Sequence, residues 1–262
     1  MSRPPSSSEP PPKKGKPHKE RLDVLIVERG LAPSRQRAQA LLLAGQVRVN
    51  GVKADKAGAQ VASDSLLEIA GETLRYASRA GLKLEGALED FSLSPLDRVC
   101  MDVGSSTGGF TDCLLQNGAR KVFAIDVTID QLDWKLRRDP RVVTLEKNAR
   151  HLKPEDIDEP AAFVTVDVSF ISVSKLLLAV VALAAPAADF VVLVKPQFEL
   201  EKRDVGKGGI VREAALHKKA IDRVMQAASA AGLEIDGVRP SHVAGAEGNQ
   251  EFFLHARRPR VA

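Results

Sequence analysis

The sequence predicts an α/β protein, in which a doubly wound, mostly parallel sheet domain follows a small α+β module. From Asp97 onward, short apolar runs alternate with segments of helical periodicity, the pattern of a parallel sheet covered by helices. Charge is divided in the same way, because Lys and Arg outnumber Asp and Glu in residues 1–80, whereas acids slightly exceed bases in the remainder. We therefore expect a basic module that meets a polyanion, in front of a nearly neutral domain.

The composition is that of an ordinary globular protein. With 262 residues, 44% hydrophobic and 27% charged, the chain is long enough for one large domain and a small one. Cys100 and Cys113 lie in apolar segments and are expected in the core, so neither a metal site nor an oxidising compartment is indicated. No secretory signal is visible, and the longest apolar run, 176–188, contains Pro186 and is too short to span a bilayer. We expect a cytoplasmic protein with no membrane partner.

The stretch Val99–Phe110 organises the larger domain. An apolar strand over Val99–Val103 leads into a glycine-rich loop and then into a helix. The glycines let the backbone turn sharply and approach a ligand closely. A second strand, Val122–Asp126, ends in an acid that is placed to hydrogen-bond a ribose diol. This arrangement predicts a nucleotide-type ligand.

The identity of that ligand follows from the charge beside the loop. The loop Gly-Ser-Ser-Thr-Gly-Gly lacks the spacing of a dinucleotide site, and a carboxylate at Asp102 would repel a pyrophosphate. The same carboxylate suits an ammonium group, so S-adenosylmethionine is favoured over NAD, and a loop that only turns the chain is the third interpretation. The residues expected to bind the cofactor are Asp102, Gly104, Ser105, Ser106, Thr107, Gly108, Gly109, Phe110, Asp126, Val127 and Asn148.

The N-terminal module is predicted from helix caps and a hairpin turn. Residues 1–18 are rich in Pro, Ser and Lys and are expected to be disordered, because they have little to bury. Ser34 is expected to cap the second helix, and Asn50-Gly51 is a strong hairpin signal. The expected elements are a helix within Glu20–Gly30, a helix over Arg35–Ala44, a strand and turn over Val47–Val52, and strand material over Val61–Ile69.

The residues of this module resemble a known RNA-binding domain. Arg21-Leu-Asp23, Ser34-Arg35 and the run from Gly45 to Lys53 resemble the S-four-type domain of pseudouridine synthases and a small-subunit ribosomal protein. A helix start that carries a hydroxyl and guanidinium groups can hold phosphates. The residues expected to bind RNA are Arg21, Ser34, Arg35, Arg37, Lys53 and Lys56.

The remainder is predicted as the sheet domain. We expect the first domain over 19–70, a linker over 71–79 and the second domain over 80–262. The expected strands are Val99–Val103, Val122–Asp126, Val142–Glu146, Phe163–Val168 and Phe190–Lys195, with further strand material around Gly237–Val243 and Glu251–Ala256. The expected helices are Leu82–Phe91, Gly109–Asn117, Leu132–Arg137, Val173–Leu183 and Arg212–Ala231.

Charged residues close two of the buried strands. Asp167 ends one apolar run, and Lys195 ends a second, very apolar run and is followed by Pro196. Such residues lie at the sheet edge where α/β proteins bind ligands, partly removed from water. Each alone could simply end a strand, but two beside a glycine loop indicate catalysis. Lys83, by residue type alone, is expected to be a surface lysine.

Five motifs carry a second resemblance. They are Ser78-Arg-x-Gly-Leu-Lys83, Asp102 to Phe110, Asp167-Val-Ser-Phe-Ile-Ser172, Val194-Lys-Pro-Gln-Phe-Glu199 and Gly248-Asn-x-Glu251. Together they resemble the TlyA family, S-adenosylmethionine-dependent ribose 2′-O-methyltransferases that act on ribosomal RNA and are often named haemolysins. The catalytic domain of that family is similar to the FtsJ/RrmJ type. The Lys-Asp-Lys-Glu tetrad of that type falls here on Lys83, Asp167, Lys195 and Glu251.

This resemblance implies a Rossmann-like methyltransferase domain that uses S-adenosylmethionine. It also implies action on ribosomal RNA within ribosomal subunits, on a cytidine of the small or large subunit RNA or of both. The sulfonium is a good leaving group, so no metal is required, and we expect a monomer. A ribose hydroxyl is a poor nucleophile, so Lys195 would supply positive charge to the developing alkoxide. The other three tetrad residues would hold that lysine and the hydroxyl in line with the methyl group.

The resemblance is incomplete at two places. Ala80 stands where the family usually has glycine, and Thr128–Asp130 replaces a Gly-Tyr-Gly close to where adenine would lie, which bears on cofactor affinity.

The glycine-rich, basic segment Glu201–Gly209 is either a mobile loop over the RNA or a plain solvated loop.

Two other functions compete with this interpretation. A non-enzymatic RNA-binding or ribosome-associated factor could keep a vestigial methyltransferase fold, but the intact tetrad argues against it. A membrane-active haemolysin would need a spanning helix or a strongly amphipathic basic helix, and the sequence predicts neither.

Overall fold

The computed structural model describes residues 18–29, 31–32, 34–69, 75–245 and 248–260. Residues 1–17, which belong to the tail that is expected to be disordered, lie outside the described residues. Gly30, which is expected to end the first helix, also lies outside them. The chain forms two compact units, one within residues 1–73 and one within 74–262.

The first unit packs two helices with short strands. Its elements are β1 (Lys19–Arg21), α1 (Leu22–Glu28), α2 (Arg35–Leu43), β2 (Val47–Val49), β3 (Val52–Ala54), β4 (Gln60–Ala62) and β5 (Leu67–Ile69). Strands β3, β2 and β5 form an antiparallel sheet in that order, and β1 pairs with β4. Apolar residues recur at helical spacing along both helices, so Leu22, Ile26, Ala38 and Leu42 are buried in one core.

The local signals of this unit have their expected structures. The Ser34 hydroxyl accepts a hydrogen bond from the backbone N–H of Arg37 at 3.2 Å, which caps α2. Asn50 and Gly51 have φ angles of 50° and 80°, so a two-residue turn with both residues left-handed joins β2 to β3. The predicted cap and hairpin are confirmed.

The second unit is built on a seven-stranded sheet. Its elements are α3 (Ala80–Asp90), β6 (Val99–Val103), α4 (Gly109–Gln116), β7 (Lys121–Asp126), α5 (Trp134–Arg138), β8 (Val142–Glu146), β9 (Ala161–Val166), α6 (Leu177–Ala182), β10 (Ala184–Val194), α7 (Pro196–Glu199), α8 (Ala214–Ala230), β11 (Glu234–Pro240) and β12 (Phe252–Arg257). The strand order is β11, β12, β10, β9, β6, β7, β8. The last five strands in this order are parallel, whereas β12 runs antiparallel to β10 and β11.

Helices cover both faces of this sheet because strand side chains alternate in direction. Along β6, Val99, Met101 and Val103 face one core with α6 and α8, whereas Cys100 faces another with α3 and α4. The predicted doubly wound, mostly parallel fold is confirmed, and both cysteines are core residues as expected. In the part of the chain that the structure describes, no helix is both long enough and apolar enough to cross a membrane.

Several boundaries differ from the sequence expectation. Strand β9 ends at Val166 and β10 at Val194, so Asp167 and Lys195 are the first residues beyond their strands. The helix expected over 173–183 is divided into a 3-10 turn and α6, because Leu176 between them has a non-helical φ of −127°.

Tyr76, expected in the linker, is buried in the second unit. Its ring packs in the core that contains Leu84 and Phe110, and its hydroxyl donates to Glu85 at 3.0 Å. The backbone N–H of the next residue donates to Asp112 at 2.8 Å. One aromatic residue after a polar stretch gives no periodicity, so the sequence had no signal that this segment joins the core.

Candidate active site

The carboxyl edge of the parallel sheet carries the charged residues predicted for the site. Gly104 follows β6, Asp126 ends β7, Asp167 follows β9 and Lys195 follows β10. Because these strands are parallel, the four residues lie along one edge. Strand β12 runs the opposite way, so its first end, next to Glu251, reaches the same edge.

Lys195 and Asp167 form the first of two ion pairs at this edge. The Lys195 Nζ lies 2.5 Å from Asp167 Oδ1, and the two side chains are 12% and 15% exposed. Lys195 Nζ also donates to the Ser169 hydroxyl at 3.0 Å. The lysine is therefore held from two sides, in a position that water reaches only in part.

Lys83 and Glu251 form the second ion pair. The Lys83 Nζ donates to Glu251 Oε2 at 2.6 Å, with side-chain exposures of 12% and 2%. The interpretation of Lys83 as a surface lysine is therefore wrong. Residue type could not reveal its position, because the partner lies 168 residues further along the chain.

Two adjoining cavities open beside the pair of Lys195 and Asp167, whereas Lys83 and Glu251 line neither of them. Both cavities are bounded by Gly104, Ser106, Asp167 and Ser169, so they meet at the glycine loop. The smaller, of about 190 Å³, is further lined by Ser78, Ala80, Ser105, Thr107, Gly109, Phe110 and Lys195. The larger, of about 460 Å³, is further lined by Ile125, Asp126, Val127, Thr128, Gln131, Lys147, Asn148, Ala149, Val168, Phe170, Ile171 and Leu176.

Asp102 differs from its predicted role. Of the residues expected to bind the cofactor, only Asp102 and Gly108 line neither cavity. The Asp102 side chain is completely buried and accepts hydrogen bonds from the hydroxyls of Thr111 at 2.6 Å and Thr165 at 3.0 Å. Burial raises the pKa of Asp102 to about 6. Because strand residues alternate between faces, Asp102 points into the core under the loop, away from a ligand on the edge.

Asp126 ties the glycine loop to the next strand. Its carboxylate accepts the backbone N–H of Ser106 at 2.9 Å and that of Val127 at 2.7 Å. Asp126 also lines the larger cavity, so its position is compatible with the ribose contact that the sequence predicts for it.

Comparisons with known proteins identify the family of each unit. Residues 76–258 match the FtsJ-like methyltransferase family, and residues 20–66 match the S4 domain. The chain belongs to the FtsJ-like methyltransferase family.

Similar proteins cover nearly the whole chain. TlyA of Mycobacterium tuberculosis, a 16S/23S rRNA (cytidine-2′-O)-methyltransferase, is 45% identical over 90% of this chain and 89% of its own length. Hemolysin A of Brachyspira hyodysenteriae is 40% identical over 90% of this chain and 98% of its own. A solved structure of a hemolysin from Streptococcus thermophilus is 42% identical, covers 94% of this chain and 90% of that chain, and superposes with a TM-score of 0.71. The resemblance to the TlyA family is confirmed.

As an FtsJ-like methyltransferase, the protein takes its methyl group from S-adenosylmethionine, and the loop fits this cofactor. The Ser105 hydroxyl is buried in the wall of the smaller cavity and has no hydrogen-bond partner within the described ranges, which leaves it free for a ligand. Gly104 has a φ of 89°, and a Cβ there would lie 2.2 Å from the carbonyl oxygen of Asp167. Only glycine therefore brings the methyltransferase loop this close to Asp167.

The two departures from the family pattern have clear positions. Ala80 is the first residue of α3, and a Cβ on Gly109 would lie 2.9 Å from the Ala80 methyl group. Alanine at 80 is therefore compatible with the loop, because the facing residue is glycine. Thr128 lines the larger cavity, so the replaced Gly-Tyr-Gly borders the space expected for the cofactor.

Sequence reasoning did not single out Ser169 and Phe170, which lie in the motif that begins at Asp167. Ser169 contacts Lys195, as described above. Phe170 is 91% exposed, has a φ of 65°, and lines the larger cavity. Its ring centroid lies 5.2 Å from that of Phe198. The motif that contains both residues was the available signal for them.

Glu199, also missed, joins the two loops that carry Lys195 and Asp167. It is buried and accepts hydrogen bonds from the Ser172 hydroxyl at 2.5 Å and the Val173 backbone N–H at 2.8 Å. Burial raises the pKa of Glu199. Glu199 therefore links the segment after Lys195 to the segment after Asp167 and holds the two together.

Asn249 braces the site at another point. Its side chain accepts from the Val211 N–H and donates to the Gly209 carbonyl, both at 3.0 Å. Gly209, the last residue of the basic segment Glu201–Gly209, is thus hydrogen-bonded to the residues that precede β12, next to Glu251.

In the S4 domain, all six residues predicted to bind RNA are exposed. Arg21 and Arg35 both donate to the buried carboxylate of Asp23. Arg37 and Lys56 form no ion pair among the residues that the structure describes. The five basic residues of this set thus divide into two arginines held by Asp23 and three side chains without an acidic partner among the described residues, whereas Ser34 caps α2.

Proposed function

We propose that this protein transfers a methyl group from S-adenosylmethionine to the ribose 2′-hydroxyl of a cytidine in ribosomal RNA. The observation that carries the proposal is the pair of sheltered ion pairs, Lys195 with Asp167 and Lys83 with Glu251, beside the glycine loop. The substrate is supported by the name of the M. tuberculosis relative, which specifies cytidine 2′-O-methylation of 16S and 23S rRNA.

The chemistry depends on stabilising negative charge on the attacking oxygen. The Lys195 side chain is only 12% exposed, so the charge of its ammonium group is weakly screened and acts strongly on an oxygen that develops negative charge during the attack. Asp167 and Ser169 fix the direction of that ammonium. Lys83 and Glu251, joined across the same edge, position the hydroxyl. S-adenosylmethionine, when bound, supplies a methyl group that is already activated on a sulfonium.

Phe170 supports a nucleobase contact at the mouth of the site. A bulky residue with positive φ costs roughly 1–3 kcal/mol of backbone strain, which suits a functional position better than a structural one. Its ring is exposed beside Phe198, and enzymes that act on single nucleotides stack unpaired bases on such aromatic groups. We propose that the target base stacks on Phe170.

The S4 domain supports binding to ribosomal subunits. Its exposed basic residues can neutralise phosphates without reading sequence, which suits a partner with a folded RNA surface. We propose that the protein works as a monomer on ribosomal subunits in the cytoplasm, with an RNA-binding domain over residues 19–70 and a catalytic domain that follows the linker.

The decisive experiment offers a labelled methyl donor and separate small and large ribosomal subunits to the purified protein. Ribose methylation should be mapped to individual nucleotides by primer extension. Label at one or a few cytidine 2′-oxygens supports the proposal. Binding to subunits without any transfer of label would favour a non-catalytic ribosome-associated factor.

A further inference from the structure

Asp23 is the most completely enclosed acid of the S4 domain. Its side chain is 0% exposed, and it accepts four hydrogen bonds from three side chains. Arg21 donates from Nε to Oδ1 at 3.0 Å and from Nη2 to Oδ2 at 3.1 Å. Arg35 Nη2 and Gln39 Nε2 both donate to Oδ2, each at 3.0 Å. These arginine contacts hold the pKa of Asp23 well below its usual range, so the carboxylate stays charged.

The arginines, unlike Asp23, face the solvent. Their side chains are 47% and 56% exposed, and both donate to the same carboxylate oxygen, so the two guanidinium groups lie side by side. Each guanidinium carries five N–H donors in a rigid fork, and only part of each set is used by Asp23. Donors of both arginines therefore remain for an external acceptor.

Two neighbouring cations repel each other and would separate if nothing held them. Asp23 supplies the charge that keeps Arg21 and Arg35 together, and its burial fixes where they stand. A single phosphate, with two non-bridging oxygens, matches two adjacent guanidinium groups better than separate lysines do.

We propose that Asp23 is a positioning residue for RNA binding, whose buried carboxylate holds Arg21 and Arg35 as one rigid site for a backbone phosphate. This inference rests on the proposed RNA-binding function of the S4 domain. The net charge alone would predict the opposite result. Removal of the Asp23 charge makes the domain more positive, yet the loss of the fixed arginine pair should weaken RNA binding.

The test measures equilibrium binding of the full-length protein to isolated ribosomal RNA over a series of salt concentrations. Asp23→Asn should bind roughly tenfold more weakly, the scale of a lost charge-assisted contact, with a salt slope reduced by about one. Glu28→Gln is the matched control, since Glu28 is exposed and the change adds the same charge to the same domain. It should bind as the parent does or slightly more tightly.

A second pair of variants avoids the risk that Asp23→Asn unfolds the domain. Arg35→Lys keeps the charge but loses the fork, so it should weaken binding several-fold, whereas Arg48→Lys, at an exposed arginine of the same domain that forms no ion pair among the described residues, should not. Thermal unfolding of each variant separates loss of folding from loss of binding. If Asp23→Asn, once folded, bound as tightly as Glu28→Gln, or if the two lysine variants behaved alike, the positioning role would be excluded. A parent protein that does not bind RNA would instead reject the proposed function itself.

Discussion

The two units of this protein use paired charges in opposite ways. In the catalytic unit, Lys195 and Lys83 are sheltered together with their acidic partners. In the S4 domain only the acid, Asp23, is buried, and its partners Arg21 and Arg35 reach the solvent.

This difference matches what each cation has to meet. A sheltered ammonium acts at short range in a medium of low polarity, which strengthens its effect on one oxygen in the transition state. An exposed guanidinium meets a polyanion that brings its own counterions, so its effect must depend strongly on salt. The comparison predicts that changes at the sheltered lysines alter the rate of methyl transfer and that changes at the exposed residues alter RNA affinity.

Lys195→Met should have the largest effect. It keeps most of the length of the side chain and removes the charge, so single-turnover methyl transfer should fall by about 10²-fold or more while RNA binding persists. Lys218→Met is the matched control, because Lys218 is an exposed lysine on α8 that pairs with Asp222. If Lys195→Met turned over within a few-fold of the parent, the tetrad would be misplaced. Glu247, which lies outside the described residues, would then be the next residue to test.

Simultaneous replacement of Arg35, Arg37 and Lys53 by Gln should have the next largest effect, on affinity alone. Each lost phosphate contact should lower the salt slope of RNA binding by up to roughly one. Methyl transfer at saturating RNA in a single turnover should stay near that of the parent. An unchanged salt slope would mean that the S4 domain does not carry the RNA contact.

Asp126→Ala should weaken binding of S-adenosylmethionine by about 1–3 kcal/mol, because it removes an acceptor beside the larger cavity and the bonds to the loop N–H groups. Calorimetry with the cofactor measures this loss, and RNA affinity serves as the internal control. Tight binding of NAD, with no binding of the methyl donor even when RNA is present, would overturn the cofactor assignment.

Glu251→Gln should have the smallest effect of the four. A neutral amide of the same shape can still accept the hydrogen bond from Lys83, so the positioning role should survive in part and the rate should fall by about tenfold or less. Single-turnover rates of this variant and of Lys195→Met, measured side by side, rank the two ion pairs. A Glu251→Gln protein slower than Lys195→Met would reverse the proposed division of roles.

Most of the fold was predictable because its signals are local. The strand Val99–Val103, the cap at Ser34 and the turn at Asn50-Gly51 follow from hydrophobic pattern and backbone preference over a few residues. The position of Asp167 and Lys195 at one edge of the sheet was also predictable from the sequence, since parallel strands place their carboxyl ends together. The break in the helix after Ser172 was not predictable, because an apolar run gives no sequence signal for a single non-helical residue within it.

The sequence by itself determined which residue types stand at the strand ends and in the glycine loop, since these depend on neighbours along the chain. Only the tertiary structure decided which charges meet. Lys83 pairs with Glu251 across 168 residues, and Asp23 joins Arg21, at the end of β1, to Arg35, at the start of α2. The packing also turned Asp102 into the core, where two threonine hydroxyls hold it. The physical reason is that an ion pair depends on distance and burial, and both are fixed by how distant segments pack together.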